Sequence, residues 1–84
     1  MGVLTGNHRT TVYVLRDKEH RPLYVGFSQN PITRIATHRR RDWWPQVTQI
    51  DFTHFADKDD ALEFERDVIL RLDPEFNVMH RAAA

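Results

Sequence analysis

Residues 24–38 read YVGFSQNPITRIATH and pass from a strand pattern into a helix pattern. The stretch begins with aromatic and β-branched residues around a single glycine, a composition that favours a strand. Asn30 and Pro31 then predict a helix start, because an asparagine side chain can cap free backbone N–H groups and proline lacks the donor that would be orphaned there. The stretch therefore predicts a strand followed by a helix from Pro31 to about Arg40.

The spacing of side chains in this helix separates two faces. At 100° per residue, an apolar stripe forms from Ile32, Ile35 and Ala36, and Arg34 and His38 lie together on the other side. A polar pair at this spacing is usually part of a solvated helix surface. Its meaning depends on what the rest of the chain places opposite it.

Strand patterns flank the stretch on both sides. Upstream, TTVYVLR at 10–16 and PLYVGF at 22–27 predict a β-hairpin across the polar DKEH. If Arg16 faces Arg21, then Tyr13 faces Tyr24 and the two phenols share one face of the sheet.

Downstream, RDWWPQ at 41–46 predicts a connector with a helical turn, and VTQIDFTHF at 47–55 predicts a third strand. A second helix, DKDDALEFERDVILRL, is expected to be capped by Asp57 and ended by Pro74. The sequence thus predicts an α+β fold, a three-stranded antiparallel sheet flanked by helices, with both helices on one side.

Glu65 is out of place in the second helix. It falls in the middle of the apolar stripe that Ala61, Val68 and Leu72 form, whereas Glu63 falls outside it. Burying an ionised carboxylate without a partner costs several kcal/mol. Glu65 is therefore expected either to pair with an arginine at the core edge or to bind a metal ion.

The length and composition predict one domain over residues 1–84, with a core at about 10–80, a loose arm over the first nine residues and a short alanine tail at 82–84. The chain has no cysteine, no apolar run long enough to span a membrane and no signal-peptide pattern. We therefore expect a cytoplasmic protein with no membrane association.

The zero net charge hides an asymmetry, because residues 1–41 carry eight basic and two acidic side chains and residues 42–84 carry four basic and ten acidic ones. If this separation survives folding, one face is basic and attracts polyanions. The alternative is that these charges are solvated or pair across the fold. Arg39, Arg40 and Arg41 are the expected nucleic-acid contacts, and Trp43 and Trp44 after them either stack on bases or belong to the core.

An ordered set of residues carries a family resemblance. It comprises TVY at 11–13, YVG at 24–26, Arg34, His38, Glu65, Pro74 and Asn77. In order and spacing, over about residues 10–80, this set resembles the GIY-YIG nuclease family. The resemblance implies metal-dependent hydrolysis of phosphodiester bonds, usually in DNA, although the sequence does not separate DNA from RNA.

The resemblance also implies roles for single residues. The implied catalytic set is Tyr13, Tyr24, Arg34, His38, Glu65 and Asn77. Among these, Arg34 would contact the scissile phosphate and Glu65 would bind Mg²⁺ or Mn²⁺, because magnesium can be held by one carboxylate and several waters. Gly26 would allow close packing. Tyr13 is the expected general base, with His38 as an alternative acceptor of the proton.

Two departures from the family pattern leave other functions open. The first tripeptide is TVY rather than GIY, and Phe27 follows YVG where many members have lysine, so weak activity or a different substrate geometry would follow. A non-catalytic nucleic-acid binding module and a nuclease subunit that needs a partner are the alternatives. Phosphate contacts alone read sequence poorly, so a second copy or another protein would have to supply specificity.

Overall fold

The computed structural model describes residues 9–77, which form a three-stranded sheet and two α-helices. The strands are β1 (Thr10–Arg16), β2 (Pro22–Ser28) and β3 (Gln49–Phe55). The helices are α1 (Pro31–His38) and α2 (Lys58–Leu72), with a 3₁₀ turn at Trp44–Gln46 before β3. Both strand pairs are antiparallel and β1 is central. The predicted α+β class is confirmed.

Some expectations concern residues that the structure does not describe. The predicted arm, apart from Arg9, and the alanine tail at 82–84 lie outside the described residues, as do the last three residues of the expected core. Within 9–77, neither helix combines the length and the apolar character that crossing a membrane requires.

The predicted hairpin register is wrong by two residues. Tyr13 lies opposite Gly26, and Leu15 lies opposite Tyr24. Because side chains alternate with a period of two, this shift keeps the two phenols on one face. Their ring centroids are 6.3 Å apart.

The hairpin loop explains the shift. Asp17 N–H donates to the Arg21 carbonyl, which makes the loop one residue shorter than expected and shifts the register by one residue. An irregularity between Leu15 and Arg16 shifts the pairing of the two strands by one further residue. The buried Asp17 carboxylate fixes this loop by accepting hydrogen bonds from the backbone N–H groups of Glu19 and Arg21, each 2.9 Å long.

The two helices pack on opposite faces of the sheet, so the expectation that both lie on one side is wrong. One core cluster joins the sheet to α2 and consists of Val12, Val14, Val25, Ala61 and Val68. The other joins β1 to α1 and consists of Tyr13, Leu15 and Ile35. The reason is that β1 is apolar and buried on both faces, so each face needs a covering helix.

Helix α1 differs from its prediction in three ways. It ends at His38 rather than near Arg40, and Asn30 occupies the N-cap position without a capping side-chain hydrogen bond. The expected apolar stripe is also wrong, because Ile32 is 72% exposed and Ala36 is exposed. The buried side chains of α1 are Ile35 and His38, which lie three residues apart and face β1 together.

Helix α2 matches its prediction. The Asp57 carboxylate accepts the Asp59 N–H at 2.8 Å, and Asp73 ends the helix in the left-handed conformation just before Pro74. The chain then runs along the outer edge of β2, where Phe76 N–H donates to the Leu23 carbonyl at 2.8 Å. Residues 75–77 thereby cover the β2 edge.

Candidate active site

A tyrosine–histidine pair lies between the sheet and α1. The Tyr13 hydroxyl and His38 Nε2 are 2.9 Å apart, in hydrogen-bond contact, and both residues are almost completely buried. Tyr13 comes from the central strand and His38 from the last turn of α1. His38 therefore faces the tyrosines, as the family resemblance implies, and not the solvated helix surface that is usual for a polar pair at this spacing.

Gly26 makes room for this pair. It lies directly opposite Tyr13 in the sheet, and a Cβ atom at this position would come within 2.6 Å of the Tyr13 hydroxyl oxygen. Real Cβ atoms do not approach an oxygen so closely, and the Tyr13 ring is buried and held by its contact with His38. The glycine thus serves the close packing expected of it, with the phenol lying across the backbone.

Tyr24 joins the pair to an aromatic stack. Its ring centroid lies 4.5 Å from that of His38. The Tyr24 ring also stacks on the Trp43 ring, with centroids 5.8 Å apart. Trp43 in turn stacks on Phe76 at 5.1 Å. The Trp43 ring is thus packed by protein side chains, which favours the core interpretation of this residue over base stacking.

Glu65 is buried as its helical position predicts, with 7% of its surface exposed. It shares the inward stripe of α2 with Ala61 and Val68. The charge of its carboxylate contributes to raising the pKa of both Tyr13 and Tyr24, so it lies within electrostatic range of the two phenols.

The environment shifts the pKa values of the tyrosine–histidine pair in opposite directions. Burial raises the pKa of Tyr13 well above its ordinary value, Tyr24 and Glu65 raise it further, and Arg34 opposes them. Burial lowers the pKa of His38, and the charges of Arg34 and Arg41 lower it further. Both groups are therefore uncharged at neutral pH, the imidazole as a proton acceptor and the phenol with its proton retained.

Basic side chains lie on α1 and on the turn that follows it. Arg34 is exposed and, in the part of the chain that the structure describes, forms no ion pair. Arg39, Arg40 and Arg41 are exposed on the turn after α1. Arg34 and Arg41 both act on the pKa of Tyr24 and His38, so their positive charge reaches the aromatic residues.

Asn77 binds the backbone of the strand that carries Tyr24 and Gly26. Its side-chain oxygen accepts the Val25 N–H and its amide nitrogen donates to the Val25 carbonyl, each at 2.9 Å. Both polar ends of the side chain are engaged in this way, and the residue is 2% exposed. Asn77 therefore holds β2 in place beneath the tyrosines.

Phe52 and His54 of β3 are two exposed residues outside the family motif. Phe52 lies opposite Tyr13 and His54 opposite Thr11, so both side chains share the face of the tyrosine–histidine pair. The alternation in QIDFTHF carries this information only once the register with β1 is known. Asp51, on the other face, pairs with Arg16 at 2.7 Å.

The donor chemistry at Glu65 fits a hard divalent cation. Within residues 9–77, no three or more His, Cys, Asp or Glu side chains are grouped to hold a metal ion. Magnesium and manganese keep several waters and are commonly held by one or two carboxylates, which is what a single buried glutamate can offer.

Comparison with known proteins identifies a family whose sequence pattern this chain matches. A sequence model of the GIY-YIG catalytic domain matches residues 9–77. Similar proteins include UvrABC system protein C of Corynebacterium aurimucosum, which is 33% identical over 79 residues, and that of Frankia casuarinae, which is 32% identical over the same length. Each match covers 83% of this chain but only 12% and 11% of the relatives. The chain thus spans about an eighth of their length.

Proposed function

Because the chain belongs to the GIY-YIG family, whose members are endonucleases, we propose that it hydrolyses phosphodiester bonds in DNA with the help of a divalent cation. The observation that carries the proposal is the 2.9 Å contact between the Tyr13 hydroxyl and His38 Nε2, inside a shell of basic and aromatic side chains. A phosphodiester resists attack until a water is deprotonated and the charge on the phosphate is balanced. This arrangement meets both requirements.

The tyrosine and histidine move the proton together. Tyr13 alone is a poor base, because its pKa is raised and its phenolate would lie unsolvated near Glu65. With the His38 proton on Nδ1, Nε2 accepts the Tyr13 hydroxyl proton while the phenol oxygen takes a proton from the attacking water. The transfer avoids a free phenolate. Both residues thus take part in the general-base step, whereas the sequence analysis offers Tyr13 and His38 as alternative bases.

Arg34 neutralises the phosphate. Its exposed guanidinium has a planar fork of donors that matches two phosphate oxygens, and it stays charged at any working pH. Arg41 adds a second positive charge near Tyr24 and His38. Both arginines attract the phosphate more strongly as it accumulates negative charge in the pentavalent transition state.

Glu65 would hold the cation, and Asn77 and Gly26 are proposed to position the tyrosines rather than to contact substrate. When bound, Mg²⁺ or Mn²⁺ supplies Lewis acidity toward phosphate oxygen and the leaving group. Glu65 itself supplies the negative charge that selects a divalent cation for this position. Tyr24 packs against His38 and keeps the imidazole aimed at Tyr13.

Substrate selection is proposed to need more than this chain. Residues 1–84 would act as one nuclease domain in the cytoplasm, with exposed arginines that bind phosphates and read no sequence. The relatives are named as protein C of the UvrABC system, and they are about eight times longer than the matched region. We therefore propose that a partner protein, or a second copy of the chain, directs it to its DNA.

A cleavage assay tests the proposal. Purified protein is incubated with plasmid, branched and single-stranded DNA in Mg²⁺, in Mn²⁺ or in chelator. We expect cleavage only with metal, with single-turnover rates about 10²- to 10⁴-fold lower in Tyr13→Phe, which keeps the ring and removes the proton donor. Glu65→Gln should abolish the metal response.

Glu63→Gln is the matched control, because Glu63 lies on the same helix but faces solvent. Equal loss in both glutamate variants would contradict a specific role for Glu65. Metal-independent binding of DNA by the wild type, with no cleavage of any substrate, would instead identify a non-catalytic binding module.

A further inference from the structure

The face of β3 next to the tyrosine–histidine pair carries two aromatic side chains that the proposed catalytic step does not use. Phe52 is the direct cross-strand neighbour of Tyr13, yet Phe52 is 42% exposed whereas Tyr13 is 1% exposed. Among residues 9–77, Phe52 belongs to neither core cluster. A large apolar ring is thus left open to solvent one strand away from the site.

His54 lies parallel to this ring. The planes of Phe52 and His54 are inclined by only 7°, with centroids 6.2 Å apart. Thr11 fixes the imidazole, since its hydroxyl oxygen lies 2.7 Å from His54 Nδ1 and Thr11 itself is buried. The two rings therefore form an oriented aromatic surface, which we call the β3 platform and define as Phe52 and His54.

We propose that the β3 platform stacks on an unpaired nucleobase adjacent to the phosphate that the site attacks. This inference rests on the proposed nuclease function. Stacking on an aromatic side chain suits any base, because every base has a π face. The faces of bases in an intact duplex are already covered by their neighbours, so the platform would favour DNA with unpaired nucleotides at the cleavage point.

Position and charge support a nucleobase as the occupant. The platform continues the sheet face of Tyr13, which is the face on which α1, the helix of Arg34, packs. A nucleotide next to a phosphate bound at Arg34 would therefore lie on the side of the sheet that carries the platform. The basic residues of α1 and the following turn cover the same side of the sheet. Acidic residues concentrate at the start of α2, which packs on the opposite side.

The test measures stacking and affinity without requiring cleavage. Chelator is present throughout, and the DNA probes are a plain duplex and a duplex with a two-nucleotide bubble that contains 2-aminopurine. With wild-type protein we expect the 2-aminopurine fluorescence to fall on binding, as stacking quenches it. Phe52→Ala should weaken bubble binding by about 5- to 100-fold and abolish the quenching, with duplex binding unchanged.

Further variants separate stacking from folding. Phe52→Leu keeps apolar volume without a ring and should behave like Phe52→Ala. Phe52→Trp keeps an aromatic ring and should retain both the affinity for the bubble and the quenching. Leu70→Ala is the matched control, because Leu70 is 76% exposed on α2, beyond the opposite face. Thermal unfolding of each variant shows whether the fold is intact.

The outcomes distinguish the two proposals. Quenching that depends on Phe52 supports the platform even if the protein cuts no DNA, and that combination would refute only the nuclease proposal. The platform proposal is overturned if Phe52→Ala binds and quenches like the wild type, if Phe52→Leu does so, or if wild-type protein shows no preference for the bubble. A dimer that dissociates in Phe52→Ala with unchanged DNA binding would also overturn it.

Discussion

At the scale of single residues, the proposed function depends on an imidazole kept uncharged beside a phenol. The His38 ring is enclosed by Tyr13, Tyr24 and Trp43, and the charges nearest to it, on Arg34 and Arg41, are positive. Protonated His38 would therefore lack solvation and meet like charges. These surroundings keep His38 unprotonated at neutral pH and make its protonation costly for the fold.

This cost predicts a specific pH dependence of stability. The unfolded chain protonates His38 near pH 6.5, whereas the folded protein resists protonation until a lower pH. Between these two pKa values the unfolded state binds more protons, so the free energy of unfolding should fall as the pH drops below about 6.5. Urea unfolding at pH 5 to 8 measures it, and we expect His38→Gln to flatten this part of the curve. An unchanged slope in His38→Gln would contradict the assignment.

At the scale of elements, the strand that carries Tyr24 and Gly26 is held from both sides. β1 pairs with its inner edge, and the segment after α2 binds its outer edge through Phe76 N–H and both ends of the Asn77 side chain. The chain thereby ties the end of α2 to the middle of β2. Glu65 and the tyrosines come from different elements, and this connection fixes their layers relative to each other.

Asn77→Ala tests the connection. It removes two hydrogen bonds and leaves the Val25 N–H and carbonyl without these partners, so we expect a loss of about 2 to 4 kcal/mol in the free energy of unfolding. Asn30→Ala is the control, because Asn30 is exposed and makes no capping side-chain bond, and it should change stability by less than about 0.5 kcal/mol. Chemical denaturation of both variants makes the comparison. Similar losses at the two positions would argue against this connection.

The elements also show what a sequence can and cannot reveal. Strand and helix positions follow from local patterns, and the burial of Glu65 follows from helical periodicity. The side of the sheet on which each helix packs depends instead on long-range contacts, since both faces of β1 are apolar. The hairpin register depends on the loop that Asp17 fixes. The burial of His38 depends on how α1 packs on the sheet, since His38 and Ile35 are the two buried residues of this helix.

At the scale of the whole molecule, the charge asymmetry of the sequence survives in part, because Arg16 and Arg21 are paired with Asp51 and Asp17 but other arginines share one side of the sheet. Arg34, Arg39, Arg40 and Arg41 belong to α1 and the turn after it, on the side of Tyr13. The acidic first turn of α2 belongs to the side of Val12 and Val14. A neutral protein therefore presents a basic side to DNA, with the tyrosine–histidine pair beneath it.

Salt dependence of DNA binding tests this polarity. In Arg39→Gln/Arg40→Gln we expect weaker binding to duplex DNA at low salt, and a slope of log affinity against log salt that is less steep by about 0.9 for each phosphate that the variant no longer neutralises. Arg66→Gln, an exposed arginine of α2, should leave affinity and slope as in the wild type. Fluorescence anisotropy over a range of salt concentrations gives both values. Equal effects from α1-side and α2-side arginines would mean that DNA does not select the predicted face.

The proposed mechanism requires that Glu65 bring a divalent cation to the Tyr13–His38 pair. Paramagnetic Mn²⁺ broadens NMR signals of nuclei close to it, so a titration of Mn²⁺ into labelled protein locates the ion directly. We predict that substoichiometric Mn²⁺ broadens the ring signals of Tyr13, Tyr24 and His38 in the wild type and in Glu63→Gln, but not in Glu65→Gln. Equal broadening in Glu65→Gln, or sharp Tyr13 and His38 signals in the wild type at saturating Mn²⁺, would contradict the claim.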